Sequence, residues 1–289
     1  MAVTSISTIA MADWSLPDLL TCLDRLAVDQ AAISARQLDR HGWTDAESAL
    51  KEGAVRIGSL GSGLTTAAGA RETSRGRAEL TRLERSIDLA ARLDIPLVTL
   101  TTGPAGTLSW EDALDAFAGR IAPLVERARD RAVGLTVENT HSLRSDVSFL
   151  HTLRDTVTAA RHLRVGVCAD LYCCWAEPRL ATTLADGLDV IRIVQYGDFV
   201  HGTMSQPNRW VPGDGDLPLD RLHAEVVASG YTGTHEIEIL GPRITDEGIE
   251  RAHVRALAWL DTRPGGAPSG RTQRSTGRLV DGSPRNRTS

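Results

Sequence analysis

Four short apolar runs in the second half of this chain each end on a side chain that can bind a hard metal ion. Each run is rich in β-branched residues, as in a buried strand, and the intervals between the runs are long enough for a helix. Alternating strands and helices build parallel β/α architecture, in which the functional groups lie where the strands end. Carboxylates that converge there repel one another unless a cation is present. The pattern therefore predicts a divalent-metal site on a (β/α)8 barrel, with ligands at Glu138, Asp170, Gln195 and Glu238.

Length and charge favour one folded domain followed by a tail. A chain of 289 residues with 42% hydrophobic content can form a single barrel of about 250 residues. We predict the barrel domain over residues 1–262 and a disordered basic tail over residues 263–289, which is rich in Gly, Pro, Ser and Arg. From Pro264 onward the chain has five arginines and one aspartate, a net charge of +4. Since the whole chain has a net charge of −5, the residues before Pro264 have a net charge of −9. An acidic body argues against nucleic-acid binding and favours a small-molecule substrate.

We expect neither export nor membrane insertion for this chain. Its N-terminus has no basic region before the apolar stretch and reaches Asp13 early, unlike a secretory signal. No apolar run approaches the roughly 20 residues that span a bilayer. The four cysteines do not form the pattern of a disulfide framework. These features predict a cytoplasmic protein with no membrane partner.

Eight strand candidates complete the barrel pattern, although the second is poorly defined. Residues Thr245–Leu260 predict one final amphipathic helix. The first four strand candidates are Val3–Ile9, Ala31–Ser34, Ala54–Leu60 and Pro96–Leu100, and the other four are the runs that end on the candidate ligands.

Several of these residues resemble a known family. The run Gly230-Tyr-Thr-Gly233 followed by Glu238 is similar to a signature near the C-terminus of the xylose-isomerase-like TIM barrels, the sugar phosphate isomerase/epimerase superfamily. Pro212–Asp216 and Val137–Asn139 add to the likeness, which covers most of Val3–Leu260. The resemblance implies a metal-dependent enzyme and is compatible with a homodimer or tetramer.

Carried over to this sequence, the resemblance makes the same four strand-end residues the metal ligands, and Glu138 and Glu238 the catalytic acid/base pair. Two positions depart from many family members. Cys173 stands where they have a histidine three residues after the strand-six aspartate, and Gln195 stands where many have a histidine. The first departure bears on the substrate more than on the metal.

The residue types also suit proton-transfer chemistry. Carboxylate oxygens and one amide oxygen are better ligands for Mg²⁺ or Mn²⁺ than for zinc. Such an ion stabilises the enediolate that forms when an α-hydroxy carbonyl compound loses a proton, and two glutamates on separate strands can remove and return that proton. Side chains on a strand alternate with period two, so Glu236 faces the same side as Glu238 and competes with it as a ligand.

Further residues in predicted loops after strands are candidates for substrate contact. Histidines there can hydrogen-bond hydroxyl groups, tryptophans can form flat apolar walls, and an arginine can pair with a phosphate or carboxylate. Each also has a structural alternative: core packing for the tryptophans, and a surface position for the histidines and the arginine. The candidates are His141, His201, Arg209, Trp110, Trp175 and Cys173.

The sequence leaves three functions open. The first is an isomerase or epimerase of a sugar or sugar-like α-hydroxy carbonyl compound. The second is a metal-dependent dehydratase of a cyclic polyol or keto-acid, and the third is a barrel that binds a small ligand without catalysis. Lys51 is the only lysine and precedes the third strand, which argues against a Schiff-base aldolase. No Gly-x-Gly-x-x-Gly fingerprint follows a strand, which argues against a bound dinucleotide.

Overall fold

A computed structural model of the protein describes residues 3–69 and 73–264. Eight parallel strands form a closed barrel in which each strand pairs with the next and β8 pairs with β1. The predicted barrel is thus confirmed, including its weak second strand, which starts one residue earlier than expected. The strands are β1 Val3–Ser7, β2 Gln30–Ser34, β3 Arg56–Gly61, β4 Leu97–Leu100, β5 Gly134–Glu138, β6 Gly166–Asp170, β7 Ile191–Tyr196 and β8 Thr234–Ile237.

Helices cover the outside of the barrel and connect consecutive strands. The α-helices are α1 Leu16–Leu26, α2 Ala35–His41, α3 Trp43–Glu52, α4 Ser74–Arg92, α5 Trp110–Asp130, α6 Leu153–Leu163, α7 Leu171–Cys174, α8 Leu180–Asp186, α9 Leu219–Ala228, α10 Pro242–Glu247 and α11 Ile249–Asp261. Two short 3₁₀ helices, Thr8–Met11 and Ser142–Arg144, follow β1 and β5. Within the described ranges, none of the helices is long and apolar enough to cross a membrane.

Side-chain hydroxyls begin several of the helices. Ser15 accepts a hydrogen bond from the Asp18 backbone N–H at the start of α1, and Ser109 accepts one from Asp112 at the start of α5. Such caps satisfy backbone donors that have no partner inside the helix, and each contributes about 1 kcal/mol. They fix where each helix begins, and therefore how long the loops above the strands can be.

The C-terminal part of the barrel domain has two helices, α10 and α11, where the sequence predicted one long final helix. Gly248 has a φ of +98° and separates α10 from α11. Glycine adopts this left-handed region without the steric cost that other residues incur. The chain therefore turns at Gly248, although the amphipathic pattern continues on both sides of it. The predicted tail lies almost entirely beyond Pro264 and so outside the described residues.

The inside and outside of the barrel differ in polarity. Residues of β8 alternate between the two, with Glu236 inside and His235 outside. Inside, Ser5 donates to Glu236 over 2.8 Å and Gln30 donates to Thr234 over 3.1 Å. Outside, apolar residues of the strands pack against the helices and form the continuous hydrophobic core. The polar interior leads directly to the ends of the strands, where the candidate ligands lie.

A buried group of rings joins β7 and β8 to α9. The Tyr196 hydroxyl lies 2.9 Å from Nδ1 of His235 and 3.2 Å from Nδ1 of His223. Nε2 of His223 donates to the Pro264 carbonyl over 2.8 Å. Burial, with a smaller contribution from His223, lowers the pKa of His235 to about 4. His235 is therefore neutral in the folded protein at pH 7.

This burial predicts acid destabilisation. The unfolded chain protonates His235 near pH 6.5, whereas the folded chain resists protonation until about pH 4. Neutral His235 therefore leaves the free energy of unfolding at its full value above pH 6.5. This free energy decreases as the pH falls from 6.5 towards 4, because only the unfolded chain takes up the proton. Between pH 7 and 5 the wild type should lose about 2 kcal/mol more unfolding free energy than a His235→Gln variant. Urea titrations at both pH values measure this difference, with exposed His162→Gln as the matched control. Equal losses in wild type and His235→Gln would refute it.

Candidate metal centre and cavity

A cavity of about 780 Å³ opens at the C-terminal ends of the strands. Residues from all eight strands or the segments that follow them line it. Parallel β/α barrels carry their functional groups at this end, because the loops that follow the strands converge there. Three of the four predicted ligands, Glu138, Gln195 and Glu238, are in its lining, and Asp170 is fully buried beside them.

Three carboxylates come together at the bottom of this cavity. Glu138 is the last residue of β5, Asp170 is the last residue of β6, and Glu238 directly follows β8. Each offers one oxygen, and the three oxygens lie within 4.8 Å of one another. Glu238 is held at the barrel rim because its backbone N–H donates to the Tyr196 carbonyl over 2.9 Å. The fold thus brings together residues that are 100 positions apart in the sequence.

Asn139 ties the ends of β5 and β6 together, a role that the sequence did not reveal. Its Nδ2 donates to the Asp170 carbonyl over 2.9 Å, and its Oδ1 accepts from the Asp170 backbone N–H over 2.8 Å. Both bonds are buried. Because Asn139 follows Glu138 directly, this pair of bonds fixes the spacing between the Glu138 and Asp170 carboxylates. An asparagine immediately after a strand-end acid is the signal that could have indicated it.

Asp170 uses both carboxylate oxygens. Oδ1 accepts from the Tyr172 backbone N–H over 3.0 Å and so caps α7. Oδ2 accepts from the Cys173 thiol over 2.8 Å and from Nη2 of Arg209 over 2.7 Å. One oxygen of Asp170 therefore caps α7, while the other contacts Cys173 and Arg209.

Arg209 places a guanidinium group among the carboxylates. It contacts Asp170 at 2.7 Å and Glu238 at 3.2 Å, and its guanidinium lies over the Tyr172 ring, 4.5 Å from the centroid. Arg209 comes from the β7–α9 segment, which the sequence identified only as a source of possible substrate contacts. In the part of the chain that the structure describes, it is the one cationic side chain in contact with these carboxylates.

Gln195 lies between the two glutamates of β8. Its Nε2 donates to Glu236 over 2.9 Å and to Glu238 over 2.6 Å. Its Oε1 is buried and has no hydrogen-bond partner among residues 3–69 and 73–264. A buried acceptor without a partner costs free energy, so this oxygen is suited to a ligand.

Glu236 and Glu238 both face the cavity, as the alternation of side chains predicts, but their contacts differ. Glu236 is 2% exposed and accepts hydrogen bonds from Ser5 and Gln195. Burial, together with the Glu238 charge and despite these two bonds, raises the pKa of Glu236 to about 7. Glu238, rather than Glu236, joins Glu138 and Asp170 in the close carboxylate group.

Glu138 is a carboxylate without a local partner. It accepts no hydrogen bond from any residue that the structure describes. Burial and the negative charges of Glu238 and Asp170 raise the pKa of Glu138 well above its usual value. Burial likewise raises the pKa of Glu238, although Arg209 opposes this. Each carboxylate would be stabilised by a further positive charge.

The donor set fits a divalent cation. Three carboxylates share one guanidinium, which contacts Asp170 and Glu238, so Glu138 has no contacting cation among the described residues. The unpartnered Glu138 carboxylate and the buried Oε1 of Gln195 add oxygen donors at the same place. Hard oxygen donors of this kind are the ligands of Mg²⁺ and Mn²⁺.

The candidate substrate contacts separate into two groups. His141, Cys173 and Arg209 are among the residues that line the cavity. Trp110, Trp175 and His201 are not. Trp110 packs edge-on against Phe149, and Trp175 stacks on His201 with ring centroids 5.4 Å apart. A tryptophan soon after a strand can turn towards the helices as readily as towards the cavity. The role of these three in substrate binding stays a prediction without support from the cavity geometry.

The fold and the site identify the class of protein. The family model of the xylose isomerase-like TIM barrels matches residues 24–263, so the chain belongs to this family. No curated protein sequence matches the chain.

Solved structures of sugar epimerases share the fold. D-psicose 3-epimerase in the presence of D-fructose has a TM-score of 0.73 and 16% identity, over 91% of this chain and 100% of that one. The 3-keto-D-glucoside 4-epimerase of E. coli has a TM-score of 0.71 and 18% identity, over 91% and 100% of the two chains. The IOLI protein with a bound zinc atom has a TM-score of 0.72 and 15% identity, over 88% and 95%. At these identities the similarity establishes the fold.

Proposed function

We propose that the protein is a divalent-metal-dependent isomerase or epimerase of a sugar or sugar-like α-hydroxy carbonyl compound. The observation that supports this most is the convergence of Glu138, Asp170 and Glu238, whose oxygens lie within 4.8 Å of one another beside one cavity. Buried carboxylates this close together repel one another, and a bound cation or a proton offsets this repulsion. Family membership and the epimerases among the structural neighbours support the same class of reaction.

The cation would be held by the carboxylates of Glu138, Asp170 and Glu238 and by Oε1 of Gln195. When bound, a divalent ion polarises a carbonyl oxygen and stabilises the negative charge that develops as the neighbouring carbon loses its proton. The oxygen-only donor set favours Mn²⁺ or Mg²⁺, whereas the IOLI structure contains zinc.

Glu138 and Glu238 would move the proton. They enter the cavity from β5 and from the end of β8, three strands apart on the barrel. A flat intermediate between them therefore presents a different face or a different carbon to each. One glutamate removes the proton, and the other returns it on the opposite face for epimerisation or at the adjacent carbon for isomerisation. Glu138, with no competing hydrogen bond, is free to approach the substrate.

Arg209 and Gln195 orient Glu238, one member of the acid/base pair. Arg209 contacts Glu238 at 3.2 Å and Nε2 of Gln195 donates to it over 2.6 Å, so this carboxylate has little rotational freedom. A fixed carboxylate loses little entropy when it meets the substrate, which favours proton transfer at one defined atom. Arg209 also lines the cavity, and its buried Nη1 has no hydrogen-bond partner among the described residues, so this atom can donate to a substrate oxygen.

Solvent deuterium exchange tests the proposal. The protein, loaded with Mn²⁺ or Mg²⁺ in D₂O, is incubated with a panel of ketoses, aldoses and their phosphates, and the products are analysed by mass spectrometry and NMR. We expect at least one compound to gain one deuteron at the carbon next to the carbonyl, only with metal present. Loss of one water would instead identify a dehydratase. No exchange with any member of a broad panel would contradict the proposal.

A further inference from the structure

The charged residues that line the cavity are divided between two sides of the barrel. The four lining carboxylates all lie in β5 or β8 or in the segments that follow these two strands: Glu138, Asp146, Glu236 and Glu238. The side formed by β2, β3, β4 and the segments after them contributes Arg36 and Arg75, and no carboxylate among the described residues. Because the strands follow one another around a closed barrel, β2–β4 lie across from β6–β8. The end of the cavity opposite the metal centre is therefore cationic.

Arg36 differs from the other arginines of the cavity because no carboxylate of the described residues pairs with it. Arg209 contacts Asp170 and Glu238, and Arg144 contacts Asp146 at 2.9 Å. Arg75 contacts Glu79 at 3.4 Å. Arg36, near the start of α2, forms no ion pair with any residue in ranges 3–69 and 73–264, and its side chain is exposed at the cavity lining. Its guanidinium is thus available to a ligand.

Arg75 is only partly neutralised. Its partner Glu79 also contacts Arg120 at 3.3 Å, so that one carboxylate serves two guanidinium groups. Nη2 of Arg75 donates to the Thr65 hydroxyl over 2.7 Å, and Thr65 itself lines the cavity. This side also contributes the hydroxyl of Ser34, which accepts from the Arg36 backbone N–H over 3.2 Å and has no acceptor for its own hydrogen among the described residues. Guanidinium and hydroxyl donors together are the groups that bind an oxyanion with several acceptor oxygens.

We propose that the substrate carries an oxyanion, a carboxylate or a phosphate ester, which Arg36 binds on the β2–β4 side with support from Arg75. This inference rests on the proposed function, since it places the reacting hydroxy-carbonyl end of the same molecule at the carboxylate side. A cavity of about 780 Å³ is large enough for one small substrate to reach both sides. The charge of the far end then fixes which end of the substrate meets Glu138 and Glu238.

Binding of compounds without a carbonyl group tests the inference independently of turnover. Mn²⁺-loaded protein is titrated calorimetrically with a neutral hexitol, the corresponding hexitol phosphate and the corresponding aldonate. We expect at least one anionic compound to bind about tenfold or more tightly than the neutral hexitol. The stronger of the two anions identifies whether the recognised group is a phosphate or a carboxylate.

Variants at two positions of one helix assign the effect to Arg36. Arg36→Gln should remove about tenfold of the preference for the anion, whereas Arg36→Lys should retain part of it. Arg40→Gln is the matched control, because Arg40 lies one turn further along α2 and pairs with Asp13 at 3.0 Å. Thermal melting verifies that all three variants fold.

Two results overturn the inference: equal affinity of the wild type for neutral and anionic compounds, or an unchanged anion preference in Arg36→Gln. Neither result touches the proposed function, which the deuterium exchange test decides separately. Anion preference without deuterium exchange would support the site and contradict the reaction.

Discussion

A Glu238→Gln variant is expected to lose at least about a hundredfold in turnover, the scale on which a positioned acid or base contributes. Glu238 combines two roles in the account, since it is both a candidate ligand and one member of the acid/base pair. Glutamine keeps the shape and can still accept a hydrogen bond from Gln195, but it neither binds a cation strongly nor takes up a proton. Steady-state kinetics on the substrate found by deuterium exchange measure the loss, and bound metal is quantified in the same samples.

Two control variants make the Glu238 result specific. Glu250→Gln removes a carboxylate on the outer helix α11, where Glu250 pairs with exposed Arg25, and should leave turnover unchanged. Glu236→Gln distinguishes between the two glutamates of β8. Glu236 is tied to Ser5 and Gln195, so we expect its replacement to reduce activity less than that of Glu238. The reverse order would transfer the catalytic role to Glu236.

An Arg209→Met variant is expected to lower the stability of the metal-free protein strongly. Arg209 is the cation that contacts Asp170 and Glu238, and its side chain is 11% exposed. Removing one partner of a buried ion pair typically costs 3–5 kcal/mol, which corresponds to a fall of roughly 10 °C in melting temperature for a chain of this size. Because a divalent cation can replace the lost positive charge, saturating Mn²⁺ should remove most of the difference in melting temperature between the variant and the wild type.

Arg255→Met is the matched control for Arg209→Met. Arg255 also contacts two carboxylates, Asp214 and Glu247, but on the surface, where an ion pair contributes about 1 kcal/mol or less. Melting curves with and without Mn²⁺ compare the two variants. Two results would show that Arg209 does not compensate the carboxylate charge. One is an equal melting temperature of metal-free Arg209→Met and metal-free wild type. The other is a difference in melting temperature that Mn²⁺ does not reduce.

The sequence predicted those parts of the site that strand geometry determines. The β-branched runs ending on Glu138, Asp170 and Gln195 identified strands, and parallel strands in a barrel bring their ends to one rim. Alternation of side chains placed Glu236 and Glu238 on the same face but could not choose between them. The backbone bond from Glu238 to Tyr196 holds Glu238 at the rim, and only the folded structure shows this bond.

Loop conformation accounts for what the sequence could not predict. Arg209 reaches the carboxylates because the β7–α9 segment folds back over the barrel and forms bridges from Asp198 to Trp210 and from Arg209 to Leu240. Neither bridge has a local sequence signal. The availability of Arg36 depends on which acidic side chains lie nearby, which only tertiary structure determines. Trp110 and Trp175 follow strands as expected, yet they pack away from the cavity lining.

The most direct test is an X-ray structure of crystals grown with Mn²⁺, with anomalous data collected at the manganese edge. We predict one strong peak within about 2.5 Å of carboxylate oxygens from Glu138, Asp170 and Glu238 and of Oε1 of Gln195. The same crystals of Asp170→Asn should show a much weaker peak. A map without a peak at this position, with Arg209 still bridging Asp170 and Glu238 at millimolar Mn²⁺, would contradict the account.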